Sequence, residues 1–369
     1  MGQLPDSATV EGREAAAGTR THHGSALPLA VPGTRPAQRS TRRSTHSLGA
    51  ALVALAAVVA ACGSGSVAST PAQAFYSSPS AIIATPGTLL RYQSIGSAVA
   101  GAHAYRILYV SAASDGAPRT SGGVVVLPDA TPPAVGRPIV AWAHPVVANN
   151  TAPSRSSDPL STTDPWLASA VKHGWIVVAT DFVAVGTHRQ ETFIGQAEVN
   201  DIAYSVLAVR HLPHSNPGAA WVAFGESSGG HGALWSGSLA PKLTPGMRLL
   251  GVAAVAPVAE LVPVEQAEGK PWAPDLRAQT PPAPDPSIPA FVAQGTLDNV
   301  VPASTTALLQ HQWCSARSTL YVDWLGRVTH DGAIIASAPA ALSWIEDRFR
   351  GATPPVNCSS GSPVEPSPG

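Results

Sequence analysis

Trp221-Val-Ala-Phe-Gly225-Glu-Ser227-Ser228-Gly229-Gly230-His231-Gly232-Ala-Leu234 decides how the rest of the chain is read. It is a short apolar strand, a turn of small residues, and the start of a helix. Within it, Gly225-Glu226-Ser227-Ser228-Gly229 fits G-x-S-x-G, a pattern that holds a serine on a strained strand-to-helix turn with its hydroxyl exposed above a sheet. Side chains at the flanking glycines would collide with the neighbouring strand or helix. In a chain with 33 glycines the pattern alone is weak, so its surroundings must decide.

Working outward, uniformly apolar runs recur: Pro138–Ala143, Trp175–Thr180, Ala219–Phe224, Leu249–Ala256, Ala290–Gln294 and Thr319–Val322. Strands apolar on both faces belong to a parallel sheet buried between helices. Helical segments fall between them at Trp166–His173, Glu198–Leu212, Gly229–Leu239, Thr305–Cys314 and Ala338–Phe349. In the second of these, Val199, Ile202, Ala203, Val206 and Val209 form an apolar stripe, with Asp201 and Ser205 off it. Upstream, His103–Ala112 and Ser121–Leu127 flank Ser-Asp-Gly and read as an antiparallel hairpin. The sum is an α/β fold, a mostly parallel sheet of about eight strands flanked by helices. Ligands are expected at the carboxyl ends of its strands. Glu260–Pro289 is rich in proline, lacks periodicity and reads as a short cap insertion or surface loop.

A serine hydroxyl is a poor nucleophile unless an imidazole takes its proton and a carboxylate orients that imidazole. Asp298, in Gln294-Gly-Thr-Leu-Asp298-Asn-Val-Val-Pro302, follows an apolar strand. His330 lies between the last strand and the last helix. Together they give the order Ser, acid, His. Asp323 and Asp331 are the rival acids; His173, His211, His214 and His231 are the rival bases. His231 is expected to line the pocket or cap the first turn of its helix. An oxyanion hole needs two backbone N–H groups: Ser228 supplies one, and the loop after Ala143 the other. Pro145 has no N–H, which makes Val146 the first candidate and Val147 the second.

The ends of the chain read differently. Residues 1–47 carry no apolar periodicity and end in Arg39, Arg42, Arg43 and His46. Leu48–Ala61 is uncharged, too short for a comfortable membrane span and suited to a signal-peptide apolar region. Val59-Ala60-Ala61-Cys62 resembles a bacterial lipobox, in which cleavage leaves a lipid-bearing Cys62. The alternative is ordinary signal cleavage near Ala68. The long basic region leaves Val31 as a second conceivable start. With Cys62 lipidated, Cys314 and Cys358 remain as an even pair in an oxidising compartment, expected to form a disulfide, against the alternative of two buried thiols. The expected organisation is extension and signal peptide 1–61, linker 62–86, catalytic domain 87–351 with the insertion at 260–289, and an unstructured tail 352–369. The product is an exported cell-envelope lipoprotein, membrane-anchored through Cys62, or a secreted protein.

The residues 140–350 resemble the α/β-hydrolase superfamily, and within it the secretory lipases that include fungal lipase A-type enzymes and bacterial relatives. The pieces that carry the resemblance are Ala141-Trp-Ala-His144, Thr151-Ala-Pro-Ser154, Val178-Ala-Thr-Asp181-Phe182, the Gly225–Gly232 turn, Gln294–Pro302, and His330 ahead of Trp344–Phe349. The resemblance implies hydrolysis of triacylglycerol or other carboxylic esters by Ser227, Asp298 and His330. Two departures stand out. Pro145 replaces a usual glycine, and the insertion is much shorter than the helical lid of the fungal lipases, which favours smaller or soluble esters.

A formal net charge of −1 offers no case for nucleic acid. No Cys/His ligand spacing or dinucleotide-binding glycine loop is visible, so no metal or organic cofactor is expected. The same three residues would equally serve a peptidase or acyltransferase, and a non-catalytic surface binding protein on this fold is the reading from another class.

Overall fold

In a computed structural model, the described residues are 74–97, 99–145, 166–184, 191–261 and 277–367. All of them fall in one compact unit, Ser66–Gly369. Cys62, Val146, Val147, Thr151–Ser154 and half of the 260–289 insertion, residues 262–276, lie outside the described residues.

Nine strands form one sheet: β1 (Leu89–Ile95), β2 (Ala102–Ala112), β3 (Pro118–Pro128), β4 (Arg137–Ala143), β5 (Ile176–Ala184), β6 (Pro217–Glu226), β7 (Arg248–Val255), β8 (Ala290–Gly295) and β9 (Leu320–Leu325). Their spatial order is β1-β2-β3-β5-β4-β6-β7-β8-β9. The first four neighbours in that order pair antiparallel, and β5 through β9 are parallel. The β2–β3 hairpin has His103 opposite Leu127 and Ala112 opposite Pro118. The strand beyond the expected eight is β1. It is an edge strand whose sequence LLRYQSI is half exposed, so it carries neither clean alternation nor a continuous apolar run.

The parallel strands are apolar throughout because alternate residues enter two different cores. Ile139, Ala141, Ile176, Val178, Trp221 and Ala223 pack with residues of α2 (Gly195–Val209), α3 (Ser227–Leu243) and α4 (Ala303–Ser315). Val140, Trp142, Val177, Ala179, Val222 and Phe224 pack on the opposite face with α1 (Leu167–Lys172) and α5 (His330–Arg350). Trp142, Trp166 and Phe224 meet within 5.2 Å of one another, centroid to centroid. The product is a sheet covered on both sides, as burial of both faces of parallel strands requires.

Although they lie off the apolar stripe of α2, Asp201 and Ser205 are both buried. Asp201 pairs with the Arg119 guanidinium at 2.7 Å, and Arg119 also reaches Glu191 at 3.0 Å. Helix α2 is thus covered on its polar side by β2 and β3, where a guanidinium from β3 meets its carboxylate. The segment after Ala352 is also not loose. Asn357 joins the edge of β9, taking the Val322 N–H at 2.9 Å and donating to the Val322 carbonyl at 2.8 Å. A Cys314–Cys358 disulfide ties the same segment to α4. Among the described residues, no helix is long and apolar enough to cross a membrane.

Candidate active site

The carboxyl ends of β6, β8 and β9 carry Ser227, Asp298 and His330. Ser227 is the first residue of α3 and follows β6 directly, with φ at 53°. Two glycines make this turn possible. A Cβ on Gly225 would strike the Gly229 carbonyl, and one on Gly229 would strike the carbonyl of Ala143 at the end of β4. The Ser227 carbonyl accepts the Val258 N–H at 3.1 Å, which fastens the turn to the segment after β7. Ser228 is buried in the first turn of α3, where backbone N–H groups have no acceptor four residues back and the helix dipole favours negative charge.

His330 opens α5, with its Nε2 3.1 Å from Ser227 Oγ and its Nδ1 2.8 Å from Asp298 Oδ2. An ionised carboxylate only accepts, so Nδ1 carries the proton and the Nε2 lone pair faces the serine hydroxyl. Asp298 Oδ1 takes the N–H groups of Val300 and Val301 at 3.0 and 2.9 Å. Burial pushes the Asp298 carboxyl upward, but the hydrogen bonds from His330, Val301 and Val300 outweigh it and hold the group below the usual aspartate value. The hydrogen bond to Asp298 raises His330 above the ordinary imidazole value; burial opposes this, and the charges of Asp298, Glu226 and Asp331 add to the rise. Such a site holds a serine beside a neutral base whose conjugate acid is electrostatically supported, as nucleophilic attack by a hydroxyl requires.

The rival residues stand elsewhere. Asp323 lies within β9, where burial raises its carboxyl. His173 stacks on Trp175 and approaches Glu346 at 3.7 Å. His211 and His214 are exposed beyond the end of α2. His231 neither lines an open pocket nor caps its helix. It is fully buried, with Nδ1 2.6 Å from Glu198 Oε2 and Nε2 2.7 Å from the Gln279 carbonyl. Two acceptors favour a ring that donates from both nitrogens and so its cationic form, with the Trp235 indole N–H sharing the Gln279 carbonyl at 2.9 Å. Burial pushes its ionisation downward, and Glu198 and the Gln279 carbonyl more than offset that, for a net rise.

Two neighbours of Asp298 escaped the reading of the sequence. Gln294, the last polar residue of an apolar strand, donates from Nε2 to Asp298 Oδ2 at 3.0 Å. Thr306 donates from Oγ1 to Gln294 Oε1 at 2.8 Å. The available signal was a glutamine at the buried end of a parallel strand, where a polar side chain needs partners. Among the described residues, no group of three or more His, Cys, Asp or Glu side chains stands close enough to hold a metal ion.

A mostly parallel sheet with a serine turn after β6, an acid loop after β8 and a histidine after β9 is the plan of an α/β-hydrolase. The secretory lipase family model matches residues 160–274 and 282–357, and the chain belongs to that family. Its fold is similar to Candida antarctica lipase A, with TM-score 0.65 and 15% identity over 80% of this chain and 90% of that one. It is also similar to a rice cell wall degrading esterase from Xanthomonas oryzae, with TM-score 0.57 and 15% identity over 72% of this chain and 98% of that one. In sequence it is similar to Lipase 5 of Candida albicans, 40% identical over 67 residues, a match of 18% of this chain and 14% of that protein. Lipase 1 of the same organism is 35% identical over 83 residues, covering 21% and 17%. The chain therefore aligns with only a small part of the length of these curated relatives.

Proposed function

We propose that this chain is an exported serine carboxylic ester hydrolase, an esterase or lipase acting through an acyl-enzyme on Ser227. The observation that carries the reading is the unbroken hydrogen-bonded line from Ser227 Oγ through His330 to Asp298. His330 Nε2 takes the hydroxyl proton as Oγ attacks the ester carbonyl. Asp298 keeps the imidazole in the Nδ1–H tautomer and stabilises its cation. The tetrahedral oxyanion is held by the Ser228 N–H, with Val146 N–H as the second donor; loss of one such donor costs about 10²–10³ in rate. His330 then protonates the departing alcohol, and water activated by the same nitrogen releases the acid. The names of the relatives, lipases and an esterase, agree with this chemistry. The short insertion at 260–289 favours small or soluble esters over long-chain triacylglycerol, and lipid on Cys62 would anchor the product to a membrane.

The test is hydrolysis of p-nitrophenyl esters of increasing acyl length by the wild type and by Ser227→Ala. Turnover should vanish in the variant with circular dichroism unchanged, and a fluorophosphonate should label Ser227, read by mass spectrometry. Turnover retained by Ser227→Ala sinks the proposal, and cleavage of peptide amides or transfer to alcohols in preference to hydrolysis redirects it to a peptidase or acyltransferase. Radiolabelled palmitate incorporated by the wild type and lost in Cys62→Ser checks the anchor.

A further inference from the structure

The Asp298 carboxylate has about four lone-pair directions to fill, and four donors fill them. Two are backbone N–H groups on Oδ1, one is His330 on Oδ2, and the fourth is the Gln294 side-chain amide, also on Oδ2. Gln294 and Thr306 are wholly buried, so water does not substitute for either. The direction of the amide is fixed from both ends. Turned the other way, Gln294 would set its carbonyl against a carboxylate and its NH₂ toward the hydroxyl; as it stands, Thr306 donates to Oε1 and Nε2 donates to the acid. Strand β8, its following loop and the first turn of α4 are thereby joined through side chains.

We propose that Gln294, locked by Thr306, is a positioning residue that holds the Asp298 carboxylate in line with His330 and limits how strongly that carboxylate draws on the imidazole. The proposal rests on the reading of Ser227, His330 and Asp298 as the reacting group. Two donors share Oδ2. With the amide gone, the full charge of that oxygen falls to the His330 N–H, the imidazolium gains and the carboxylate loses one of its restraints.

Gln294→Leu should raise the His330 pKa, read by NMR of the imidazole, by about half a unit or more, given that charged hydrogen bonds are worth more than neutral ones. The acid limb of kcat/KM should move to higher pH with it. kcat should fall about 10–100-fold while KM stays within about twofold, the mark of lost alignment and not lost binding. Thr306→Val should move both quantities in the same direction by less, and serves where Gln294→Leu fails to fold. The pair Gln294→Leu with Thr306→Val removes both partners, so thermal stability should recover while the His330 shift remains; a purely structural role predicts that both recover together. An unchanged His330 titration in Gln294→Leu and in Thr306→Val overturns the proposal, as does a loss confined to KM. A wild type that turns over no ester overturns the reading of the reaction instead, and the NMR titration still decides the role of Gln294.

Discussion

Gly229 lies with its α-carbon against the backbone carbonyl of Ala143, so that the turn bearing Ser227 and the root of the loop after β4 are in van der Waals contact. Any side chain at 229 must displace one of them. Gly229→Ala should therefore move the Ser228 N–H relative to whatever donor the loop after Ala143 supplies. Ester turnover should drop by at least about 10²-fold, as for loss of one oxyanion donor. Overpacking should cost about 1–3 kcal/mol, or a few degrees in Tm. Gly326→Ala, where a Cβ meets nothing within 4 Å, is the control and should leave both unchanged. Equal behaviour of the two variants would remove the steric argument.

His330 titrates above 6.5, and catalysis needs it neutral, so kcat/KM should rise with pH through an acid limb that lies above the ordinary histidine value. Stability runs the other way. A raised folded pKa contributes stability that is fully present below 6.5 and fades as pH rises through the folded value, so the protein is most active where this contribution has gone. Asp298→Asn should pull the acid limb down and lower kcat by about 10⁴, since an amide fails to stabilise the cation and favours the wrong tautomer. A pH profile unmoved by Asp298→Asn would show that another acid serves His330.

The buried His231–Glu198 pair lies four residues beyond the nucleophile and makes a separate prediction. His231→Leu takes one donor from the Glu198 carboxylate and one from the Gln279 carbonyl, leaving them the Phe193 N–H and the Trp235 indole N–H, and strips a buried carboxylate of its counter-charge at a cost of about 3–5 kcal/mol. In the wild type the raised His231 pKa means that the contribution of the pair is complete below 6.5 and is lost as pH rises through the folded value. Tm of the wild type should thus decline on the alkaline side, and Glu198→Gln should flatten that decline. Alkaline profiles that coincide for wild type and Glu198→Gln would exclude the charged pair.

The parallel strands β4 to β9 were legible because burial on both faces writes itself as an unbroken apolar run, and the order Ser227, Asp298, His330 was legible because each follows such a run. What the sequence withheld has a common cause: side chains whose partners are remote along the chain. Asp201 falls off the apolar stripe of its helix, yet it is buried against Arg119 from β3; Gln294 closes an apolar run, yet it meets Thr306 and Asp298. Periodicity reports which face of an element is buried by apolar neighbours, and is silent about a polar face covered by a matching charge. The edge strand β1 failed for the opposite reason, since one covered face and one neighbour leave too little pattern in seven residues.

The C-terminal segment offers a prediction independent of the chemistry. Cys314 and Cys358 are 44 residues apart, and a bridge closing a loop of that length removes about 4 kcal/mol of unfolded-state entropy in the chain model. Replacing both by Ala should lower Tm on the order of 10 °C. Amide exchange should quicken in residues 353–367, where Asn357 and Ser367 lose the tether that keeps them on β9 and α4. Ester turnover below the new Tm should be unchanged, because Cys314 sits eight residues along α4 from Thr306, about 12 Å at the helical rise, and the Gln294–Asp298 contact lies at the other end. A double variant with wild-type Tm would mean that the hydrogen bonds of Asn357 alone secure the tail, while an early loss of kcat would show that the bridge also holds α4 in place beneath the acid loop.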